Sequence, residues 1–206
     1  MRSSPSPFWQ KKAGPWHYTT VPAGTSWSEV GPRPQGDAIT ALRSFREVLR
    51  SGDEPRVQQQ LALRFSIHII QDLHQPLHVG NGRDRGGNDI RLRVNGRSSN
   101  LHRVWDSTIL ASRGDSDARW VARLTRNLAD SSVLADCSAD PEQWILGSIE
   151  LREALYQELE EGSGALVLDG DYLARHLPAV ERQLERAVVA TACWLNQVMP
   201  LQQRDG

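Results

Sequence analysis

The chain has 206 residues, a formal net charge of −1, 39% hydrophobic and 24% charged residues. This suits one domain, taken here as 1–206, long enough to bury a proper core. It excludes a helical membrane span, since no apolar run reaches about 18 residues, and it excludes the strongly basic composition of a protein that coats nucleic acid.

Residues 1–36 are rich in Pro, Ser and Gly, with Trp9, Trp16 and Trp27 interspersed, and read as irregular structure pinned by aromatics. The opening Met1-Arg2-Ser3-Ser4-Pro5 shows no secretory signal. Asp37 is placed to cap a first helix carrying Ile39, Leu42, Phe45 and Leu49, closed by Gly52. A second helix starts near Glu54, with a stripe of Val57, Leu61 and Phe65 that runs on into His68 and Asp72. Ile90, Leu92 and Val94 alternate with Asp89, Arg91 and Arg93 ahead of Asn95-Gly96, the signature of a β-hairpin. Asn100 caps a third helix bearing His102, Asp106 and Ile109. Trp120, Leu124 and Leu128 mark a fourth, and Trp144, Leu151, Leu155 and Leu159 a fifth. A long last helix runs from Leu173 to Val198. The pattern predicts a mainly α single helical domain with one small β-hairpin. Cys137 and Cys193, the only cysteines, leave both a disulfide and two buried thiols open.

His68 and Asp72 are four apart on a helix, so their side chains share a face, with Cβ atoms about 5–6 Å apart. An imidazole nitrogen and a carboxylate oxygen then converge on one cation. His102 and Asp106 repeat the spacing on another helix, and His78 follows Gln75-Pro76-Leu77, where proline turns the chain back. One His-x-x-x-Asp pair is more often a surface pair or a satisfied core histidine than a metal site. Two pairs on separate helices tip the balance, because burying His68 and Asp72 in an apolar stripe demands compensation that a metal ion supplies.

The blocks His68-Ile-Ile-Gln-Asp72-Leu-His-Gln-Pro-Leu-His78, Asp84-Arg-Gly-Gly-Asn88 and Asn100-Leu-His102-Arg-Val-Trp-Asp106 resemble the zinc-dependent single-strand nucleases typified by mung bean nuclease. Trp16-His17-Tyr18 resembles the upstream histidine block of that family, and Trp144, Tyr156 and Tyr172 fit its looser C-terminal pattern. The resemblance implies the helical phospholipase C/nuclease fold, three zinc ions in a cleft, and hydrolysis of single-stranded DNA and RNA to 5′-nucleotides, often with removal of 3′-phosphates. By it, His78, His102 and Asp106 hold one zinc, and His17, His68 and Asp72 a second, with Asp72 bridging toward a third. Tyr18 is implied to stack a base, which favours unpaired strands. Asn88 is implied to shape the nucleotide pocket, with a purely structural turn as the alternative, and Arg2 to approach the scissile phosphate; His74 matches a position the family does not use as a ligand and reads as a support behind the ligands or as packing. The partner is single-stranded nucleic acid or a nucleotide, with no membrane, and the protein is expected to be monomeric.

The chain departs from the pattern at its start. The family's initial tryptophan, the histidine after it and an aspartate ahead of the arginine matched by Arg2 have no counterpart, and Gln71 and Gly147 stand where glycine and glutamate are expected. The expectation is at least one zinc, bound best at His78, His102 and Asp106, with weak nuclease activity in the chain as written. The gap is expected to come from a missed start that also carried an export signal, in which case Cys137 and Cys193 form a disulfide. The competing readings are a zinc-binding relic without activity and, further off, a zinc phospholipase C.

Overall fold

The computed structural model describes residues 12–129, 132–161 and 167–199. A 3-10 turn, Gly14–His17, leads into β1 (Thr19–Thr20) and a short α1 (Trp27–Val30). The chain then enters α2 (Ala38–Ser51) and α3 (Arg56–Leu73). Asp37 explains why this irregular start is ordered. Its carboxylate caps α2 by accepting from the Thr40 amide at 2.9 Å, and also accepts from Thr19 Oγ1 at 2.7 Å and Trp27 Nε1 at 2.6 Å. One buried acid thus ties β1, α1 and α2 together. Gly52 ends α2 in the left-handed conformation, φ 68°, that glycine adopts at no steric cost.

A second 3-10 turn, Pro76–His78, carries the chain into β2 (Val79–Gly80), which pairs in parallel with β1, Thr19 opposite Val79 and Thr20 opposite Gly80. The hairpin follows as β3 (Arg91–Val94) and β4 (Arg97–Asn100). Asn100 caps a helical stretch built from α4 (Leu101–Arg103), a π-turn (Val104–Thr108) and α5 (Ile109–Ser112). Then come α6 (Asp117–Ala129), α7 (Pro141–Glu161), β5 (Val167–Leu168) and α8 (Gly170–Val198). The chain is mainly helical with small sheets, as the periodicity predicts.

Three differences are instructive. The hairpin gains a third strand, because β5 pairs in parallel with β3; two residues carry too little pattern to announce a strand. In α6, no described residue is buried, so Trp120, Leu124 and Leu128 lie against the surface rather than in the core. In α3, Val57 is 71% exposed and Leu61 39%. The face that α3 buries is Ala62, Phe65, Ser66, Ile69, Ile70 and Leu73, a row that shares Phe65 with the expected stripe but is rotated from it. His68 therefore lies on the accessible side with its side chain 44% exposed, and the argument that burial forces compensation there does not hold.

The buried side chains form two clusters. One gathers Ile39, Leu42, Phe45, Phe65, Ile69, Ile70, Leu73, Trp144 and Trp194, and the other Leu77, Leu92, Leu101, Val104, Trp105, Ile109, Leu155 and Leu173. Both α7 and α8 contribute to each. Leu73 belongs to the first and Leu77 to the second, so the turn between them crosses the boundary. The two His-x-x-x-Asp pairs stand on either side of that crossing. A disulfide joins Cys137, before α7, to Cys193 on α8.

Candidate metal centre

Pairing β1 with β2 in parallel sets the two preceding 3-10 turns side by side, and each ends in a histidine, His17 and His78. That brings His17 onto the accessible edge of α3. Its Nδ1 lies 2.8 Å from Asp72 Oδ2 and 3.0 Å from His68 Nε2, and His68 Nε2 lies 3.3 Å from the same Asp72 oxygen. Three ligand atoms thus form a triangle with sides of 2.8–3.3 Å. A cation with bonds of about 2.0–2.1 Å at tetrahedral angles holds its ligands about 3.3 Å apart. The triangle fits one face of such a tetrahedron.

The second group is His78, His102 and Asp106, whose ligand atoms lie within 4.8 Å of one another, as do those of the first. Here the orientation of each ring is set by backbone. His78 Nδ1 meets the His17 carbonyl at 2.9 Å, and His102 Nδ1 meets the Gly86 carbonyl at 2.8 Å. With Nδ1–H donated, Nε2 presents its lone pair, the arrangement usual for a metal-binding imidazole. His78 Nε2 is 3.3 Å from Asp106 Oδ1. The π-turn opens directly after α4, with the Ile109 amide reaching back to Val104, so the helix is widened between His102 and Asp106. Single π-turns recur at functional sites for this kind of re-aiming.

Asp72 faces both groups: while Oδ2 meets His17 and His68, Oδ1 lies 3.2 Å from His78 Nδ1. Burial by itself would raise its pKa, but hydrogen bonds from His17 and His78 hold it well below the ordinary carboxylate range. Burial would likewise lower His78, and its hydrogen bonds to Asp106 and Asp72 carry it up instead, to about 9. Nitrogen and oxygen donors held this tightly compete for protons; a divalent cation would satisfy them with lone pairs alone.

The centre opens on a cavity of about 690 Å³ lined by His17, Tyr18, Thr20, Arg33, His78, Arg83, Arg85, Asn88 and His102 among others. Tyr18 is 39% exposed, an aromatic face offered beside the ligand group. Asn88 lines the same cavity, its Nδ2 donating to the Arg85 carbonyl at 2.8 Å. Arg2 lies outside the described residues. His74 faces away from the centre: it is buried, Nδ1 meets the Ile70 carbonyl at 2.7 Å, and burial lowers its pKa to about 4.

The supports behind the centre, Arg152 and Tyr156, have no signature of that role in the chain. Arg152, with no exposed surface, donates Nη1 to the carbonyls of Val21 at 2.9 Å and Val79 at 2.6 Å, fastening β1 to β2 from α7. Tyr156, also on α7, donates to Asp84 Oδ2 at 2.5 Å, while Asp84 Oδ1 accepts from the Gly87 amide at 2.9 Å. The loop that presents the Gly86 carbonyl to His102 is thereby anchored. Gly86 itself has φ +61°, and a Cβ there would overlap the Leu77 carbonyl oxygen. The Gly-Gly pair was the one local signal for this close approach. Nothing near Arg33 or Arg83 in the chain announced that they line one cavity, and nothing near Arg152 that it reaches Val21 and Val79.

The family model for S1/P1 Nuclease matches residues 5–200. The chain belongs to the S1/P1 nuclease family. Its relatives include Endonuclease 4 of Arabidopsis thaliana, 34% identical over an alignment of 152 residues that covers 66% of this chain and 50% of the relative. Nuclease S1 of Aspergillus oryzae is 26% identical over 79% of this chain and 62% of its own length. Nuclease P1 of Penicillium citrinum is 29% identical over 79% of this chain and 67% of its own. The chain thus spans half to two thirds of the length of these S1/P1 relatives.

Proposed function

We propose that this S1/P1 family chain carries the active centre of a zinc-dependent endonuclease that cuts single-stranded DNA and RNA to 5′-nucleotides, with 3′-nucleotidase activity on mononucleotides. The observation that carries the proposal is the pair of His₂Asp groups bridged by Asp72, whose His17, His78 and His102 line one cavity beside an exposed tyrosine. Nitrogen and carboxylate donors at this spacing suit zinc. His78, His102 and Asp106 would hold one ion, and His17, His68 and Asp72 another. Zinc bound there would supply Lewis acidity toward a phosphoryl oxygen and a water acidic enough to ionise near neutral pH.

The residues do the positioning. Tyr18 stacks a base, which requires that the base be unpaired and so selects single strands without reading sequence. Arg33 and Arg83 bring positive charge to the cavity that admits the phosphates, while Arg85, which also lines it, is paired with Asp89. Asn88 borders the same space. Asp72 holds His17 and His78 in register, so both groups keep their geometry as substrate enters. The Cys137–Cys193 disulfide suits an exported protein, secreted or periplasmic.

Zinc per chain, measured together with hydrolysis of single-stranded and duplex DNA and of RNA, tests the reading. Chelator-sensitive cleavage of single strands, restored by zinc and leaving 5′-phosphate ends, is expected. Cleavage that ignores chelation, or hydrolysis of a choline phospholipid in place of DNA, would sink it. Bound zinc without hydrolysis of any of these substrates would make the chain a zinc-binding relic.

A further inference from the structure

We infer that the outer face of the β4–β3–β5 sheet, built around Arg91, Arg93 and Arg103, binds the phosphodiester backbone of a polynucleotide beyond the cleavage site. The inference rests on the nuclease reading above and extends it from a nucleotide pocket to a track for the strand.

The register decides which side chains share that face. Arg91 pairs with Asn100 and Arg93 with Ser98 across the hairpin, while β5 sets Val167 beside Arg93. Paired residues project to the same side. Leu92 and Val94 point inward and are buried, so Arg91 and Arg93 point out. Arg103, exposed at the start of the helix that follows, completes a concavity of about 570 Å³. Among the described residues, neither an acidic nor an aromatic side chain lines it. Asp89, whose carboxylate also feels Arg91, is held by a two-armed ion pair with Arg85. Arg93 gives one nitrogen to the Gly96 carbonyl and keeps its remaining donors.

In a chain of net charge −1, three arginines on one face without a lining carboxylate create a local positive field. Guanidinium groups match phosphate oxygens two at a time. Arg91 and Arg93 repeat at about 6.6–6.8 Å along the strand, a spacing that lets successive phosphates be met one by one. Without an aromatic platform the contact is with the backbone rather than the bases, so it is sequence-tolerant. The face also lies in the right place. Arg103 directly follows His102, and Asp106, 39% exposed, is three residues on in the same helical stretch. A strand leaving the centre past Asp106 meets Arg103 and then the sheet. Clustered arginine elsewhere differs: on α2, Arg43 is bound by Glu142 and Arg46 by Gln197.

The test is binding of a fluorescent phosphorothioate dodecathymidylate to the intact protein, by anisotropy, across a salt series. R91Q/R93Q should weaken binding and lower the slope of log Kd against log salt by about 1.4, at about 0.7 per phosphate contact, and R103Q by about 0.7. R91K/R93K should restore the slope, and R50Q on α2 should leave it unchanged. A wild-type slope in R91Q/R93Q, or an equal fall in R50Q, would overturn the inference. A wild-type protein that cleaves no dithymidylate would defeat the nuclease reading instead, since the slopes report binding independently of hydrolysis.

Discussion

The rings of His78 and His102 stack with centroids 5.1 Å apart and planes 9° from parallel. They come from different elements, a 3-10 turn and α4, yet each spends its Nδ1 on a backbone carbonyl, and His78 Nε2 lies 3.3 Å from Asp106 Oδ1. Main chain thus holds the stacked rings in place, as the proposed zinc site requires.

If that is right, His102→Ala should lower zinc affinity at this group by at least about 100-fold, more than loss of an outer partner of a ligand usually costs. Competition with a chromophoric chelator measures it. Wild-type zinc affinity in the variant would remove His102 from the ligand set.

Gly86 tests the main-chain half of the argument. In Gly86→Ala the new Cβ meets the Leu77 carbonyl, and φ stays at +61°. The expected cost is about 2–4 kcal/mol from left-handed strain and the displaced carbonyl. His102 loses its fixed orientation at the same time, so thermal melts and zinc titration should both show the defect. A variant as stable as wild type would mean the loop moves freely.

Arg152 is the link from α7 to the extended segments that directly follow His17 and His78. Arg152→Met leaves the buried Val21 and Val79 carbonyls without that donor. Two such losses should destabilise the protein by about 2–4 kcal/mol in denaturant titration. A change below about 0.5 kcal/mol would show that water replaces the guanidinium there.

The disulfide closes a long loop, with Cys137 and Cys193 separated by 56 residues. Constraining the unfolded chain over that length is worth about 4 kcal/mol. Cys137→Ser/Cys193→Ser should unfold at correspondingly lower denaturant, and reducing agent should shift the wild type to the same midpoint. Equal midpoints in the oxidised wild type and the variant would contradict this.

Tyr156 gives an alkaline signature. Burial raises its pKa, and the hydrogen bond to Asp84 raises it further, above the ordinary phenol value of 10.0. A folded-state pKa above the unfolded one means full stability below the unfolded value, lost as pH rises through it toward the folded one. Stability should therefore fall above pH 10, and the fall should be shallower in Tyr156→Phe. Parallel curves for the two proteins would exclude Tyr156 as a source of the alkaline loss.

The longer helices, the hairpin and the spacing of both His-x-x-x-Asp pairs are legible in the chain because they are local, whereas α1 lies in a stretch that reads as irregular. Capping by Asp37 and Asn100 and the turn at Asn95-Gly96 act within a few residues, and a spacing of four puts His68 and Asp72 on one face of α3 whatever surrounds it. Even so, the α3 stripe misled, since Val57–Leu61–Phe65 and Ala62–Phe65–Ile69 are equally helical and only packing selects between them. Tertiary structure alone decided how the pieces meet. It brought His17 to Asp72 across 55 positions, placed Arg152 under two strands too short to be seen in the chain, and closed Cys137 onto Cys193. These contacts lie far apart in the chain and depend on the path between, on which side each helix buries and which strands pair. No window of residues contains that information.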